Sequence, residues 1–321
     1  MRGFDDVDTP ISLGVSGCLL GWGVRHDGSH RRDRFLVEEL AQRWRLVGFC
    51  PEAEAGLGVP RPTLRLVGNG AAPRLEEPSS RADRTELLVA TARRIVERLV
   101  AEDVSGVVLK RASPSCGLER VKVYGEGGVP VRVGQGVFAR VLKERLPHLP
   151  VEEEGRLYDA RLRESFLVRV VARRRFTDLA RAPSLARLLA FHRAHKLLLL
   201  AHDERRLREM GRLLGRARDL PLGDVVERYE ALLFAALSEP AGERGHQNAL
   251  HHAAGFLKRS LTHVERRGLH ALIEAHGDGR VPLAVPRELL RLFVEEHHPV
   301  WLEGQLYLAD WPDEWRLERA L

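Results

Sequence analysis

The stretch ISLGVSGCLLGWG, residues 11–23, sets the organisation of the first half of the chain. Its first six residues are mostly apolar and predict a buried β-strand, and the glycines that follow predict a tight turn around Cys18. The same order recurs at residues 46–51, where an apolar run stops at a Cys-Pro pair, and at residues 104–117, where VSGVVLK leads into RASPSCG. Short apolar runs that alternate with amphipathic stretches are typical of an α/β layer fold.

The three cysteines of the chain follow these three predicted strands. Cys18, Cys50 and Cys116 each lie just past the C-terminal end of a strand, where ligands bind in open α/β sheets. We therefore expect the three thiols to converge, although they are far apart in sequence. By themselves they are compatible with a zinc site completed by His or Asp, a catalytic cysteine with two bystanders, an iron–sulfur cluster with one open iron, or three unrelated buried thiols.

Other reactive side chains accompany the cysteines in these turns. Glu52 follows Cys50 by two positions, and Ser113 and Ser115 precede Cys116. The sequence contains no closely spaced CxxC pair, which zinc sites usually have, whereas iron–sulfur clusters can take single ligands from distant loops. The cluster hypothesis is therefore favoured over zinc and over three unrelated thiols.

The remaining pattern divides the chain into two parts. Helices are predicted at residues 34–44, 85–102 and 136–145, a last strand at 149–151, and a loop with at most one short strand at 51–78. Further helical stripes follow almost without interruption at 157–175, 184–215, 222–237, 246–276 and 286–297. We predict an α/β domain (residues 1–160) with a three-layer, mainly parallel sheet, followed by an all-α domain (residues 161–321).

Composition restricts the classes of function. The chain has 321 residues, 44% of them hydrophobic and 30% charged, which is typical of a globular protein. No apolar run reaches the length of a membrane span and the first residues do not resemble a signal peptide, so we expect a cytoplasmic protein without a membrane partner. Residues 156–218 contain 17 Lys and Arg against 6 Asp and Glu. This surplus suits a nucleic-acid backbone, although solvated basic helix faces are the alternative interpretation.

Several motifs together resemble one known family. VSGCLLGWGVRHDGSHR, FCPEAEAGLGVPRP, LKRASPSCG, VYGEGG and GQGVFAR, all within residues 10–154, are similar to the successive motifs of the thiouracil desulfidase family. The second half, with FHRAHKLLLLAH, HHAAGFLKRSLTHVE and WLEGQLYLADWP, resembles the helical domain found fused to that family. Proteins with this fusion look like bacterial tRNA desulfidases, which convert 4-thiouridine to uridine.

The resemblance implies specific roles for residues of the first half. It makes Cys18, Cys50 and Cys116 the ligands of a 4Fe-4S cluster with one open iron, and Glu52 and Ser113 the catalytic pair. Ser115 is an alternative to Ser113, since either hydroxyl can face the cluster. Further substrate-binding residues are expected among the basic side chains of the motifs, where the alternative is a set of ion pairs that only fix loops. These side chains are Arg25, Arg61 and Lys110.

The implied function is removal of sulfur from 4-thiouridine in tRNA, without redox chemistry and with release of sulfide. Free thiouracil or another small thioamide is the alternative substrate, and a non-catalytic iron–sulfur RNA-binding or sensor protein is the alternative class. The expected RNA contacts lie on the basic helices. They are Arg173, Arg174, Arg175, Arg193, Lys196, Arg205, Arg206 and Lys258.

Overall fold

The computed structural model describes residues 10–68, 73–125 and 129–309. The chain divides into two compact units, and the division falls between Arg174 and Arg175. This point lies inside helix α4 (Ala160–Arg181), beyond residue 160 where we placed the domain change. The reason is local packing: a Cβ atom added to Gly106 of the sheet would come within 2.6 Å of Val170, so the first part of α4 packs on the sheet.

Four parallel strands form the central sheet of the first unit, in the order β2-β1-β5-β8. Ser16 at the end of β1 stands opposite Phe49 of β2, and Val15 stands opposite Val108 of β5. β1 and β5 are buried along their whole length, as their apolar sequences predict. The strands are β1 (Ser12–Ser16), β2 (Arg45–Phe49), β5 (Val104–Leu109) and β8 (Val151–Glu153).

Helices cover both faces of this sheet. α2 (Thr85–Ala101) packs on one face, where a Cβ atom on Gly14 would lie 3.2 Å from Leu99. α3 (Val137–Arg145) joins the same core through Phe138, whose ring lies 4.7 Å from that of Phe49. Because α4 covers the other face, the sheet is the middle of three layers. The predicted fold class, a mainly parallel α/β unit followed by a helical region, is confirmed.

A second sheet and one irregular helix were not predicted. The second sheet has the order β4-β3-β6-β7 and combines parallel and antiparallel pairs. Its strands are short and several of their side chains are exposed, so they lack a clear apolar signal. Residues 34–44 form a π-helical turn (Phe35–Glu39) and a 3-10 turn (Leu40–Gln42) instead of a regular helix. The strands are β3 (Arg65–Val67), β4 (Arg74–Glu76), β6 (Val121–Tyr124) and β7 (Pro130–Gly134).

Six α-helices follow α4 within the described residues. Two stripes that we predicted as continuous are each divided by a helix cap. Asp203 ends the first helix of one stripe and accepts a hydrogen bond from the Arg206 amide at 2.9 Å, and Thr262 starts a capping box with Glu265. No helix in the described part of the chain is long and apolar enough to cross a membrane. The helices are α5 (Leu185–His202), α6 (Glu204–Gly215), α7 (Leu222–Ala236), α8 (Glu243–Leu257), α9 (His263–Gly277) and α10 (Ala284–His297).

Candidate active site

The three cysteines line one cavity at the carboxyl ends of neighbouring strands. Cys18 lies in a one-turn 3-10 helix directly after β1, and Cys50 links β2 to the short helix α1 (Pro51–Glu54). Cys116 lies in the turn after β5. All three line the same cavity of about 220 Å³, which we call the thiol cavity. The adjacency of β2, β1 and β5 brings the cysteines together.

Burial makes these thiols difficult to ionise. Cys18 and Cys116 are buried and Cys50 is half-buried. Burial, followed by the neighbouring Cys50 thiolate, raises the pKa of Cys18 to about 11. Burial also raises the pKa of Cys50, and burial with the thiolates of Cys50 and Cys18 raises the pKa of Cys116 well above its usual value. Three thiolates that repel one another are stabilised together only by a strongly electropositive centre.

The loop after β1 is held by an indole ring. A Cβ atom on Gly17 would come within 2.3 Å of the Trp22 ring, and one on Gly48 would do the same. Trp22 therefore lies against the backbone of both β2 and the turn that carries Cys18. Only glycine at these two positions allows this close approach, which fixes the turn beside the thiol cavity.

Glu52 enters the thiol cavity from the first turn of α1 and is held by two partners. Its Oε1 accepts a hydrogen bond from Ser115 Oγ at 2.7 Å. Its Oε2 accepts two from Arg61, from Nε at 2.9 Å and from Nη2 at 2.6 Å. The side chains of Glu52 and Arg61 are only 15% and 4% exposed. The carboxylate is thus fixed by a shielded ion pair and a hydroxyl.

Arg61 also ties together the loops around Glu52. Its Nη1 donates to the carbonyl of Gly58 and its Nη2 to the carbonyl of Val24, both at 2.9 Å. We expected this residue among the substrate-binding groups, but the structure directs its guanidinium to Glu52 and to backbone carbonyls. Arg61 therefore holds the Glu52 carboxylate in place, and it also lines the thiol cavity.

The two serines have different contacts. Ser113 Oγ accepts hydrogen bonds from the backbone amides of Ser115 at 3.2 Å and Cys116 at 3.1 Å, and Ser113 lines the thiol cavity. Ser115 is fully buried and donates to Glu52. Of the two serines, it is therefore Ser115 that contacts Glu52 directly, and both Glu52 and Ser113 line the thiol cavity. Since Ser113 accepts in both of these bonds, its own hydroxyl hydrogen remains to be donated.

Lys110 and Arg25 line the thiol cavity but are engaged by nearby groups. Lys110 Nζ pairs with the Glu154 carboxylate. Arg25 Nε donates to Ser29 Oγ at 3.0 Å and lies 3.8 Å from Asp27. Hydrogen bonds from Ser29 lower the pKa of Asp27 to about 2. These contacts correspond to the loop-fixing alternative that the sequence left open.

One of the expected RNA contacts is excluded by the structure. Arg174 is fully buried and pairs with Asp103, so it cannot reach a phosphate backbone. Lys196 lies over the Trp301 ring at 5.6 Å, and Arg205 pairs with Glu209 at 2.9 Å. The other expected contacts are half-buried or exposed. Arg173, Arg175 and Arg206 are half-buried, and Arg193 and Lys258 are exposed.

Within the described residues, no three His, Cys, Asp or Glu side chains are placed to hold a single metal ion. The donor set of three thiols around a cavity of about 220 Å³ remains suited to a larger, multi-atom group that is bound by sulfur.

Comparison with known proteins gave two family matches. Residues 13–154 match the model of a family described as 2-thiouracil desulfurase. Residues 196–312 match a family described as a protein of unknown function, DUF1722. The first match contains all three cysteines, Glu52 and both serines.

Two proteins and one solved structure are similar to this chain. The chain is 32% identical over 126 residues to the uncharacterized protein YbgA of Escherichia coli (strain K12). This match covers 39% of this chain and 75% of that protein. The chain is also 31% identical over 137 residues to the uncharacterized protein YbbK of Bacillus subtilis (strain 168). This match covers 40% of this chain and 88% of that protein. A solved structure of a [4Fe-4S]-dependent thiouracil desulfidase, TudS, is 30% identical to this chain; the match covers 46% of this chain and 93% of that one, with a TM-score of 0.38.

Proposed function

We propose that this chain, which belongs to the 2-thiouracil desulfurase family, is an iron–sulfur-dependent desulfidase that replaces the sulfur of a thiouracil-type base with oxygen. One observation carries the proposal: three cysteines, two of them buried and one half-buried, line the same cavity as a carboxylate held by Ser115 and Arg61. The net reaction is hydrolysis, in which one water enters, the carbon–sulfur bond breaks and sulfide leaves. No oxidant or reductant is required.

Cys18, Cys50 and Cys116 would hold the cluster through their sulfur atoms. The electropositive irons would offset the mutual repulsion that raises the pKa values of these thiols. When bound, a 4Fe-4S cluster with one iron free of protein ligands supplies a Lewis acid for the soft thiocarbonyl sulfur of the substrate.

Glu52 is the group that moves the proton of water. Its Oε1 accepts one hydrogen bond, from Ser115, and keeps a second lone pair for water, whereas Arg61 occupies both lone pairs of Oε2. An oxygen of Glu52 takes a proton from water as the water oxygen attacks the ring carbon, and later gives it to the leaving sulfur. Arg61 and Ser115 fix the carboxylate from two sides, so its direction is set before substrate enters.

Ser113 is placed to act on the ring of the base. Its oxygen is fixed by the amides of Ser115 and Cys116, and its hydroxyl hydrogen is free to donate within the thiol cavity. We assign to it the hydrogen bond to a ring nitrogen or oxygen that gains charge as water adds.

Within this reaction we propose 4-thiouridine in tRNA as the substrate and the helical unit as an RNA-binding part. The support is the surplus of Lys and Arg in residues 156–218 and the exposure of Arg193, Arg205 and Lys258. RNA contacts of this kind bind phosphates and weaken as salt increases.

Charge reversal tests this substrate directly. The variant Arg193→Glu/Lys258→Glu should lower turnover of 4-thiouridine in tRNA several-fold and leave turnover of free 4-thiouracil measurable at a similar rate. Arg93→Glu, an exposed arginine on α2 in the other unit, is the matched control and should not separate the two substrates. Equal effects of the double variant on both substrates would reject the RNA-binding role and favour the free base. Binding of tRNA without turnover of either substrate would favour a sensor.

A further inference from the structure

A second cavity adjoins the thiol cavity and is lined by arginines. It has a volume of about 360 Å³, and it shares Arg111 and Ala112 with the thiol cavity. We call it the arginine cavity. Its charged lining residues are Arg111, Arg120, Arg132, Arg156, Glu119 and Glu153.

The guanidinium groups of three of these arginines have no carboxylate partner among the described residues, although the backbone amide of Arg111 donates to Glu154 at 2.7 Å. Arg156 pairs with Glu152 at 2.8 Å and with Glu119 at 3.5 Å. No ion pair of the described chain includes Arg111, Arg120 or Arg132, and all three are exposed. The other two arginines of the thiol cavity, Arg25 and Arg61, are in contrast bound to neighbouring side chains.

The acidic residues of the arginine cavity offset this charge only in part. Glu119 is engaged by Arg156. Glu153 is buried, its Oε1 accepts a hydrogen bond from the Leu118 amide at 2.8 Å, and burial raises its pKa. The lining is therefore net positive without a ligand that carries negative charge.

Several features around this cavity are unfavourable for the free energy of folding. Arg132 of β7 stands directly opposite Lys122 of β6, so two cations share one face of an antiparallel pair. Like charges in that position are destabilising. Ala112 and Arg120 both adopt positive φ angles, 58° and 54°, which L side chains rarely adopt. The Arg111 side chain lies over Gly155, 3.5 Å from where a Cβ atom would be.

We propose that the arginine cavity binds a phosphate group of the nucleotide whose thiobase enters the thiol cavity. Arginine forks match phosphate oxygens and form charge-assisted hydrogen bonds with them. The shared residues Arg111 and Ala112 place this group beside the site of reaction. The inference rests on the proposed function for the identity of the base, and it assigns the phosphate contact to Arg111, Arg120 and Arg132.

The test uses Arg120→Gln/Arg132→Gln, because neither residue lines the thiol cavity. With the reconstituted protein, the kcat/KM for 4-thiouridine 5′-monophosphate relative to that for 4-thiouracil should fall about tenfold or more through KM. Arg93→Gln should leave this ratio unchanged. An unchanged ratio in the double variant would overturn the proposal, whether both rates stay at the wild-type level or both fall equally.

Two further measurements identify the source of the phosphate and separate the inference from the proposed function. A loss on 4-thiouridine tRNA as well as on the monophosphate assigns the cavity to the 5′-phosphate of the thionucleotide. A loss on tRNA alone would overturn the proposal, because the phosphate would then belong to another nucleotide of the RNA. Calorimetry with uridine 5′-monophosphate tests the cavity without turnover. Binding that weakens about tenfold in the double variant supports the phosphate site even if no thiobase is desulfurated, and equal binding overturns it.

Discussion

The loop of residues 110–120 contributes to two neighbouring cavities that differ in how their charged side chains are partnered. In the thiol cavity, Glu52, Arg61 and Lys110 are each bound to another side chain. In the arginine cavity, the guanidinium groups of Arg111, Arg120 and Arg132 have no carboxylate partner among the described residues. Groups that take part in chemistry need fixed directions, whereas groups that bind an anion must keep their donors available. The contrast therefore separates a reacting site from a binding site, and the following changes test it in order of expected effect.

Loss of one cysteine should have the largest effect. Cys116→Ser should abolish turnover, because it removes one of three thiolates that would hold the cluster. Iron content and visible absorbance after anaerobic reconstitution should fall with it. Thermal unfolding of the unreconstituted protein shows whether the variant folds. A Cys116→Ser protein that folds, lacks bound iron and still turns over the substrate would contradict the assignment.

Glu52→Gln should cause the second-largest loss of turnover. It keeps an oxygen that accepts from Ser115 but cannot take the proton of water, so kcat should fall by about 10²- to 10⁴-fold. Iron content should equal that of the wild type. Glu86→Gln, an exposed glutamate in the first turn of α2, is the matched control. Wild-type kcat in Glu52→Gln would remove this residue from the reaction.

Arg61→Met should reduce kcat by about 100-fold with little change in KM, because the Glu52 carboxylate loses the group that directs it. Arg61→Lys should recover part of the rate, since an ammonium retains the charge without the two-pronged geometry. Added guanidinium should also raise the rate of Arg61→Met. If Arg61 instead bound substrate, KM would rise while kcat stayed constant.

Substitution of the serines should change kcat least, and the two substitutions should act through different contacts. Ser113→Ala should lower kcat by about tenfold through loss of the hydrogen bond to the base. Ser115→Ala should lower it less, because Arg61 still holds Glu52. Steady-state kinetics with 4-thiouracil measure both variants. A larger loss in Ser115→Ala than in Ser113→Ala would reverse the two roles.

The sequence predicts the strands and turns that carry this site better than it predicts the hydrogen bonds between its side chains. The apolar runs that end at Cys18, Cys50 and Cys116 identify strand ends, and parallel neighbours bring such ends to one edge. The pairing of Glu52 with Arg61 and Ser115 was not predictable, because it depends on how a loop without periodic pattern folds back. The arginine cavity was missed for a related reason, since part of it lies on the unpredicted strand β7.

The helical second half of the chain shows the same limit. Its stripes predict helices well, but a run of arginines does not reveal which member points inward. Arg174 looks like its neighbours in sequence, yet it is fully buried against Asp103. The caps at Asp203 and Thr262, in contrast, have a local sequence signature that would have divided the two long stripes.

The most direct test of the central claim is an anaerobic turnover measurement on three samples. These are the reconstituted wild type, the same protein without iron and sulfide, and reconstituted Glu52→Gln. After 4-thiouracil or 4-thiouridine tRNA is added, the thiocarbonyl absorbance should disappear only in the first sample, with one sulfide released per base. Equal loss in the iron-free protein, or wild-type loss in Glu52→Gln, would contradict the account.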